Sequence, residues 1–192
     1  DAGRAFAYLR NALWQLNQTP IGNWIEANLD SIALRQDGGI YVDVVAFNDQ
    51  IAVSQRHEHA SADLCPACVA ALEAATDLYR GDFMAGFSLE DSAEFDEWQF
   101  FQAENLRMAA ADVLAQLTNH FSQQPPQALG QALDYGRRWL ALDATNEGAH
   151  REIMRLYALT DQRAAALRQY DACVRTLRDE LGTVPARATV DL

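Results

Sequence analysis

The chain has 192 residues, a length that gives one to two domains and a core large enough to fold unaided. Its 49% hydrophobic and 22% charged composition excludes wholesale disorder. A net charge of −12, from 15 basic and 27 acidic residues, excludes a surface that is cationic throughout and grips nucleic acid everywhere. Lysine is absent, so every basic residue is Arg. No apolar run approaches the roughly 18 residues a membrane span needs, so no membrane partner is expected. The first residues, Asp1 to Phe6, lack the basic start and apolar stretch of a signal peptide. They also lack an initiator Met, so the chain is expected to begin inside a longer protein. Three cysteines make no disulfide framework, which points to a cytoplasmic location.

Residues 2–17 are predicted as one helix, because Phe6, Leu9, Leu13 and Leu16 recur at three- and four-residue spacing. Arg4, Arg10 and Asn11 lie off that stripe. Thr19-Pro20-Ile21-Gly22 ends the helix. The period then changes to two, giving candidate strands at Trp24–Asn28, Ser31–Arg35 and Ile40–Val42, with a turn at Asp37-Gly38-Gly39. A helix followed by a β-ribbon has the order of the second half of a winged helix, its recognition helix and wing. Such a helix reads bases with long polar donors, Arg for guanine and Asn for adenine. Arg4, Arg10 and Asn11 are therefore the candidate DNA contacts. A plain amphipathic helix capped by a hairpin is the alternative.

From Asp43 onward the pattern is helical. Asp43 is an N-cap candidate, with Val44, Phe47 and Ile51 on the following stripe. After a polar loop the next helix opens at Pro66 and runs to about Arg80, with Val69, Leu72, Ala75, Leu78 and Tyr79 inward. Residues 82–91 form a loop rich in apolar side chains (Phe83, Met84, Phe87 and Leu89), which is expected to dock on the core. Asp91-Ser92-Ala93-Glu94 resembles a capping box. The long helix after it is predicted to turn Phe95, Trp98, Phe101 or Gln102, Leu106, Ala109, Val113 and Leu117 inward, and to break at Pro125-Pro126. All four tryptophans, Trp14, Trp24, Trp98 and Trp139, are expected in the core or at helix seams.

The last third carries an internal repeat. Ala132-Leu133 and Ala166-Leu167 lie 34 residues apart, and Gly136/Tyr170, Trp139/Cys173 and Leu140/Val174 share the offset. That period is the tetratricopeptide one, two helices per repeat. Asp43–Arg80 reads as a third, divergent pair. The predicted body is a short solenoid of helix pairs, a surface type that binds helices or peptides. Charge is uneven along it. Residues 61–129 hold 2 Arg against 11 acids, net −9, whereas residues 130–192 balance 9 Arg with 9 acids. The acidic block reads as a solvated face or as a docking surface for a basic partner.

One constellation has metal-ligand spacing: His57-x-His59 followed by Cys65-Pro66-Ala67-Cys68. Two thiolates one helical turn apart and two imidazoles can complete the tetrahedron that zinc prefers, and four protein ligands make a structural site. Ordinary loop and helix-start residues are the competing reading. The sequence holds no GxSxG, Walker or HExxH motif, and no enzymatic activity is expected. His120 and His150 read as surface or hydrogen-bonded side chains, and Cys173 as a core residue.

Several of these stretches form a recognisable series. Ala12–Leu16 leads into the ribbon, then come Val42–Phe47, Leu78-Tyr79-Arg80-Gly81-Asp82-Phe83-Met84-Ala85-Gly86-Phe87, Glu94-Phe95-Asp96-Glu97-Trp98, Leu140–Asp143 and Gln169-Tyr170. The series resembles the bacterial transcriptional activator domain family, in which the domain follows a winged helix in activators of the antibiotic-regulatory-protein type. The resemblance implies a mainly α protein. Residues 1–42 would be the C-terminal part of a winged-helix DNA-binding domain, and residues 43–192 a tetratricopeptide-like activator domain. It further implies promoter DNA and RNA polymerase as partners. A protein-interaction scaffold without a DNA role is the alternative, and a homodimer is possible if the stripe at Phe6, Leu9 and Leu13 stays uncovered.

Overall fold

The computed structural model describes residues 2–35, 39–57 and 64–192. The protein is mainly helical, with one small antiparallel sheet near the N-terminus. It divides into two compact units, Asp1–Asp43 and Val44–Leu192.

The first unit opens with α1, Ala2–Asn17. The Thr19 hydroxyl donates to the Leu16 carbonyl at 2.7 Å, and Pro20 starts a 3₁₀ turn over Pro20–Trp24. Gly22 is required there, since a Cβ would stand 2.4 Å from the Asn17 Cα. Strands β1 (Ile25–Ala27) and β2 (Ile32–Leu34) pair with Ile25 opposite Leu34 and Ala27 opposite Ile32. Asn28 closes their connection, its Oδ1 accepting from the Asp30 and Ser31 amides at 2.8 Å each. Ile40–Val42 is not a strand. Three alternating residues hold no ladder without a paired edge, and these run straight into the next helix. Of the expected turn, Gly39 has φ +69°, while Asp37 and Gly38 lie outside the described residues.

The second unit contains α2 (Asp43–Arg56), α3 (Pro66–Leu78), α4 (Ala93–Ser122), α5 (Leu129–Leu142), α6 (Glu147–Leu159), α7 (Arg163–Thr176) and α8 (Arg187–Val190). Asp43 is the first residue of α2 rather than its cap. Helices α5 and α7 begin and end 34 residues apart, which is the spacing of the sequence repeat. Only Thr160–Gln162 separates α6 from α7, so the pair reverses direction as a hairpin.

Two apolar clusters hold this unit together. In the first, Phe47 of α2 meets Leu72 and Ala75 of α3 and Ala110, Val113 and Leu117 of α4. In the second, Leu129, Ala132 and Leu133 of α5 meet Ile153 and Leu156 of α6, with Phe121 bordering both. Gly136 explains the irregularity of the repeat. It occupies the position Tyr170 takes in α7, and a Cβ there would stand 3.2 Å from Ile153 Cγ1 and 3.5 Å from Thr118 Cγ2. A helix crossing this close has no room for an aromatic side chain.

Polar ties cross the same seams. Tyr135 donates to Glu73 Oε1 at 3.0 Å, and Arg138 donates to the Thr76 carbonyl at 2.7 Å, joining α5 to α3. Arg107 of α4 reaches the Leu142 carbonyl at the end of α5. The C-terminal segment is clamped by Glu147. Its carboxylate accepts from the Ala186 amide at 2.9 Å and from the Thr189 hydroxyl, which in turn accepts from Arg151.

Candidate functional site

The three candidate DNA contacts sit on α1 and are exposed. At about 100° per residue, Arg4 and Asn11 fall within about 20° of each other, opposite the apolar stripe, while Arg10 lies on its flank, roughly 120° from Arg4. Along the stripe Phe6 is 62% and Leu9 44% exposed, while Leu13 is half-buried.

The metal-type residues come together where α2 gives way to α3. His57 follows the last residue of α2, Cys65 immediately precedes α3, and Cys68 lies in its first turn. Pro66 fixes that turn, since its ring suits the first helical position and forfeits only an amide the helix would leave unpaired. The Cys-x-x-Cys spacing turns both sulfurs to one side. His57 Nδ1 stands 3.2 Å from Cys65 Sγ and 3.3 Å from Cys68 Sγ, and the three ligand atoms all lie within 4.8 Å of one another. His59 lies outside the described residues.

The two thiols differ. Amide N–H groups of the first turn, Cys68's foremost, favour the Cys65 thiolate and hold that thiol below its ordinary value. Burial pushes the Cys68 thiol up, and the neighbouring Cys65 sulfur adds to the shift. The site grades from the exposed His57 through Cys65 to the fully buried Cys68. Ser54 on α2 also faces Cys68, a neighbour that spacing alone does not signal.

A second feature is the start of α4 with the loop before it. Trp98, expected inward, is 47% exposed; of the alternatives Phe101 and Gln102, Gln102 is the half-buried one, while Phe101 is 54% and Phe100 60% exposed. The apolar loop explains this. It docks on the first turns of α4 rather than on the central clusters. Phe83 packs edge-on against Trp98 with centroids 5.6 Å apart, and Phe87 against Phe95 at 5.6 Å. Gln99 clamps it, donating to the carbonyls of Met84 at 2.9 Å and Phe87 at 3.2 Å. The capping-box spacing makes Asp91 the cap; in the structure the cap position falls one residue later, on Ser92, whose side chain makes no cap bond. Glu90, Asp91, Glu94, Asp96 and Glu97 are exposed around these rings, so the face is both acidic and aromatic. Trp14, at 63% exposure, is also not a core residue.

The remaining candidates are structural. His150 is buried, with Nε2 3.0 Å from the Ala144 carbonyl and Nδ1 2.7 Å from Gln169 Nε2, so both ring nitrogens are engaged. His120 packs edge-on against Phe121. Cys173 is fully buried, and burial pushes its thiol up.

Stacked helix pairs define a helical repeat-like domain. The sequence model of the bacterial transcriptional activator domain matches residues 42–192, and the chain belongs to that family. The family is a regulatory one, and it makes this a transcriptional activator domain. No curated protein matches the chain. No helix among the described residues is long and apolar enough to cross a membrane.

Proposed function

We propose that the chain is the regulatory part of a cytoplasmic transcription regulator. In this reading the helical body contacts RNA polymerase, and α1 with its ribbon is the recognition helix and wing of a winged helix that binds promoter DNA. The observation that carries the reading is the family match across residues 42–192 on a stack of helix pairs. The acidic, aromatic face at Glu90–Phe101 supports the protein-contact half. Exposed rings give a partner apolar area, and the carboxylates select a basic surface. The exposed Arg4 and Asn11 opposite the stripe of α1 support the DNA half. The exposed Phe6 and Leu9 of that stripe support a homodimer.

The test is transcription in vitro by the regulator that carries this chain, alongside binding of its promoter fragment. Glu94→Arg with Glu97→Arg is expected to abolish activation and leave DNA binding intact. Arg4→Ala and Arg10→Ala are each expected to weaken DNA binding by about 1–3 kcal/mol, and any lost phosphate contact would flatten the salt dependence. Unchanged activation and unchanged DNA binding in both sets would overturn the reading.

A further inference from the structure

We propose that His57, Cys65 and Cys68 bind a zinc ion that ties the end of α2 to the start of α3. The inference rests on the helical body as described and not on its transcriptional role, so either can fail alone.

Geometry is the first argument. Zinc bonds of about 2.0–2.1 Å to imidazole nitrogen and 2.3 Å to thiolate, arranged tetrahedrally, put nitrogen and sulfur roughly 3.5 Å apart. The His57 nitrogen stands 3.2 and 3.3 Å from the two sulfurs, so small side-chain shifts admit the ion. One nitrogen placed almost equally between two sulfurs is the arrangement a shared ion requires. A hydrogen bond alone needs His57 to face only one of them.

Donor chemistry is the second argument. Two thiolates and an imidazole form a soft-to-borderline set, which suits zinc and disfavours magnesium or calcium.

The fold supplies the third argument. Among the described residues, Phe47 is the one fully buried side chain of α2. Phe47 lies near the start of the helix, nine residues before Arg56, and half-buried Ile51 packs on the same cluster. An ion at His57 fixes the other end to α3, whose Leu72 and Ala75 meet Phe47 in the same cluster. The ion extends the hold that Phe47 and Ile51 give the first half of α2 to its last turn.

The experiment uses the whole chain purified without chelator and under reducing conditions. Metal analysis is expected to give about one zinc per chain, and Cys65→Ser, Cys68→Ser and His57→Ala are each expected to lower it sharply. Chelation of the wild type is expected to lower the melting temperature by about 5–10 °C, restored by added zinc. Because Cys68 is buried and its replacement puts folding at risk, cobalt is also titrated into stripped wild-type protein. Thiolate-to-cobalt charge-transfer bands with the intense visible bands of a tetrahedral ion are the expected result. The proposal is overturned if the wild type holds no more zinc than the double variant Cys65→Ser/Cys68→Ser and gives no thiolate–cobalt band. Recovery of the reduced, folded chain with both thiols freely reactive at saturating zinc would overturn it too.

Discussion

Helices α1 and α4 carry the same kind of apolar stripe and end in opposite circumstances. On α1, Phe6 and Leu9 are 62% and 44% exposed. On the second half of α4, Val113 and Leu117 are 1% and 0% exposed. Periodicity reports which face of a helix is apolar, and only tertiary neighbours decide whether that face is covered. The contrast recurs inside α4, where Trp98 keeps the period yet is 47% exposed, with Phe83 of the short apolar loop packed edge-on against it. The strongest way to break the comparison is truncation of the covered stripe. Leu117→Ala is expected to destabilise the chain by about 2–5 kcal/mol, read from the shift of its urea midpoint. A loss under about 1 kcal/mol would mean that the first cluster is not the tight core the structure describes.

Gly136 sharpens the comparison within the body. With Ile153 Cγ1 only 3.2 Å from an added Cβ, Gly136→Ala gains helix propensity and loses about as much to crowding, so it is expected to be near neutral. Gly136→Leu cannot be accommodated without moving α5 away from α6. It is expected to cost about 1–3 kcal/mol in the same urea experiment.

Much of this architecture is legible in the sequence, because helix stripes, proline starts and the 34-residue offset are local signals. The ends of α5 and α7 follow that offset, and Pro66 opens α3 as its ring geometry requires. The metal-type cluster is legible for the same reason. Cys-x-x-Cys at a helix start fixes two sulfurs by helix geometry, and only His57 needed the fold to bring it in. What was not legible depends on contacts distant in sequence. Trp98 carries the inward period, and nothing local says that Phe83 of the loop at 82–91 would be the ring that packs against it. The Glu147 clamp on Ala186 and Thr189 spans about forty residues and leaves no periodic trace. Ile40–Val42 fails as a strand for lack of a partner edge, again a property of the neighbours and not of the residues.

Tyr135 offers a smaller effect with a pH signature. Burial, then its hydrogen bond to Glu73, pushes the phenol up to about 12 from an ordinary value near 10. Between those values the folded chain keeps a proton that the unfolded chain sheds. Stability from this group is therefore complete below pH 10 and is lost as pH rises toward 12. Tyr135→Phe is expected to cost about 1–2 kcal/mol at neutral pH and to remove that part of the alkaline decline. The check is the difference between wild-type and variant melting temperatures from pH 9 to 12. A difference independent of pH would mean that the Glu73 contact does not persist in solution.

The smallest effect belongs to α1, and its size decides whether the comparison between stripes is complete. Leu9 is 44% exposed, so truncation removes little buried area, and Leu9→Ala is expected to change stability by less than about 0.5 kcal/mol at micromolar protein. Amide exchange of α1 is expected to be faster than that of α4, because one helix lies open along its apolar face and the other packs between neighbours. Raising the concentration separates two ways in which the expectation can fail. If α1 gains exchange protection and Leu9→Ala becomes costly only in concentrated samples, the stripe is the contact of a homodimer, and mass action supplies the cover. If Leu9→Ala is costly at every concentration, the stripe is covered within one chain, and the contrast between α1 and α4 is smaller than their exposures indicate.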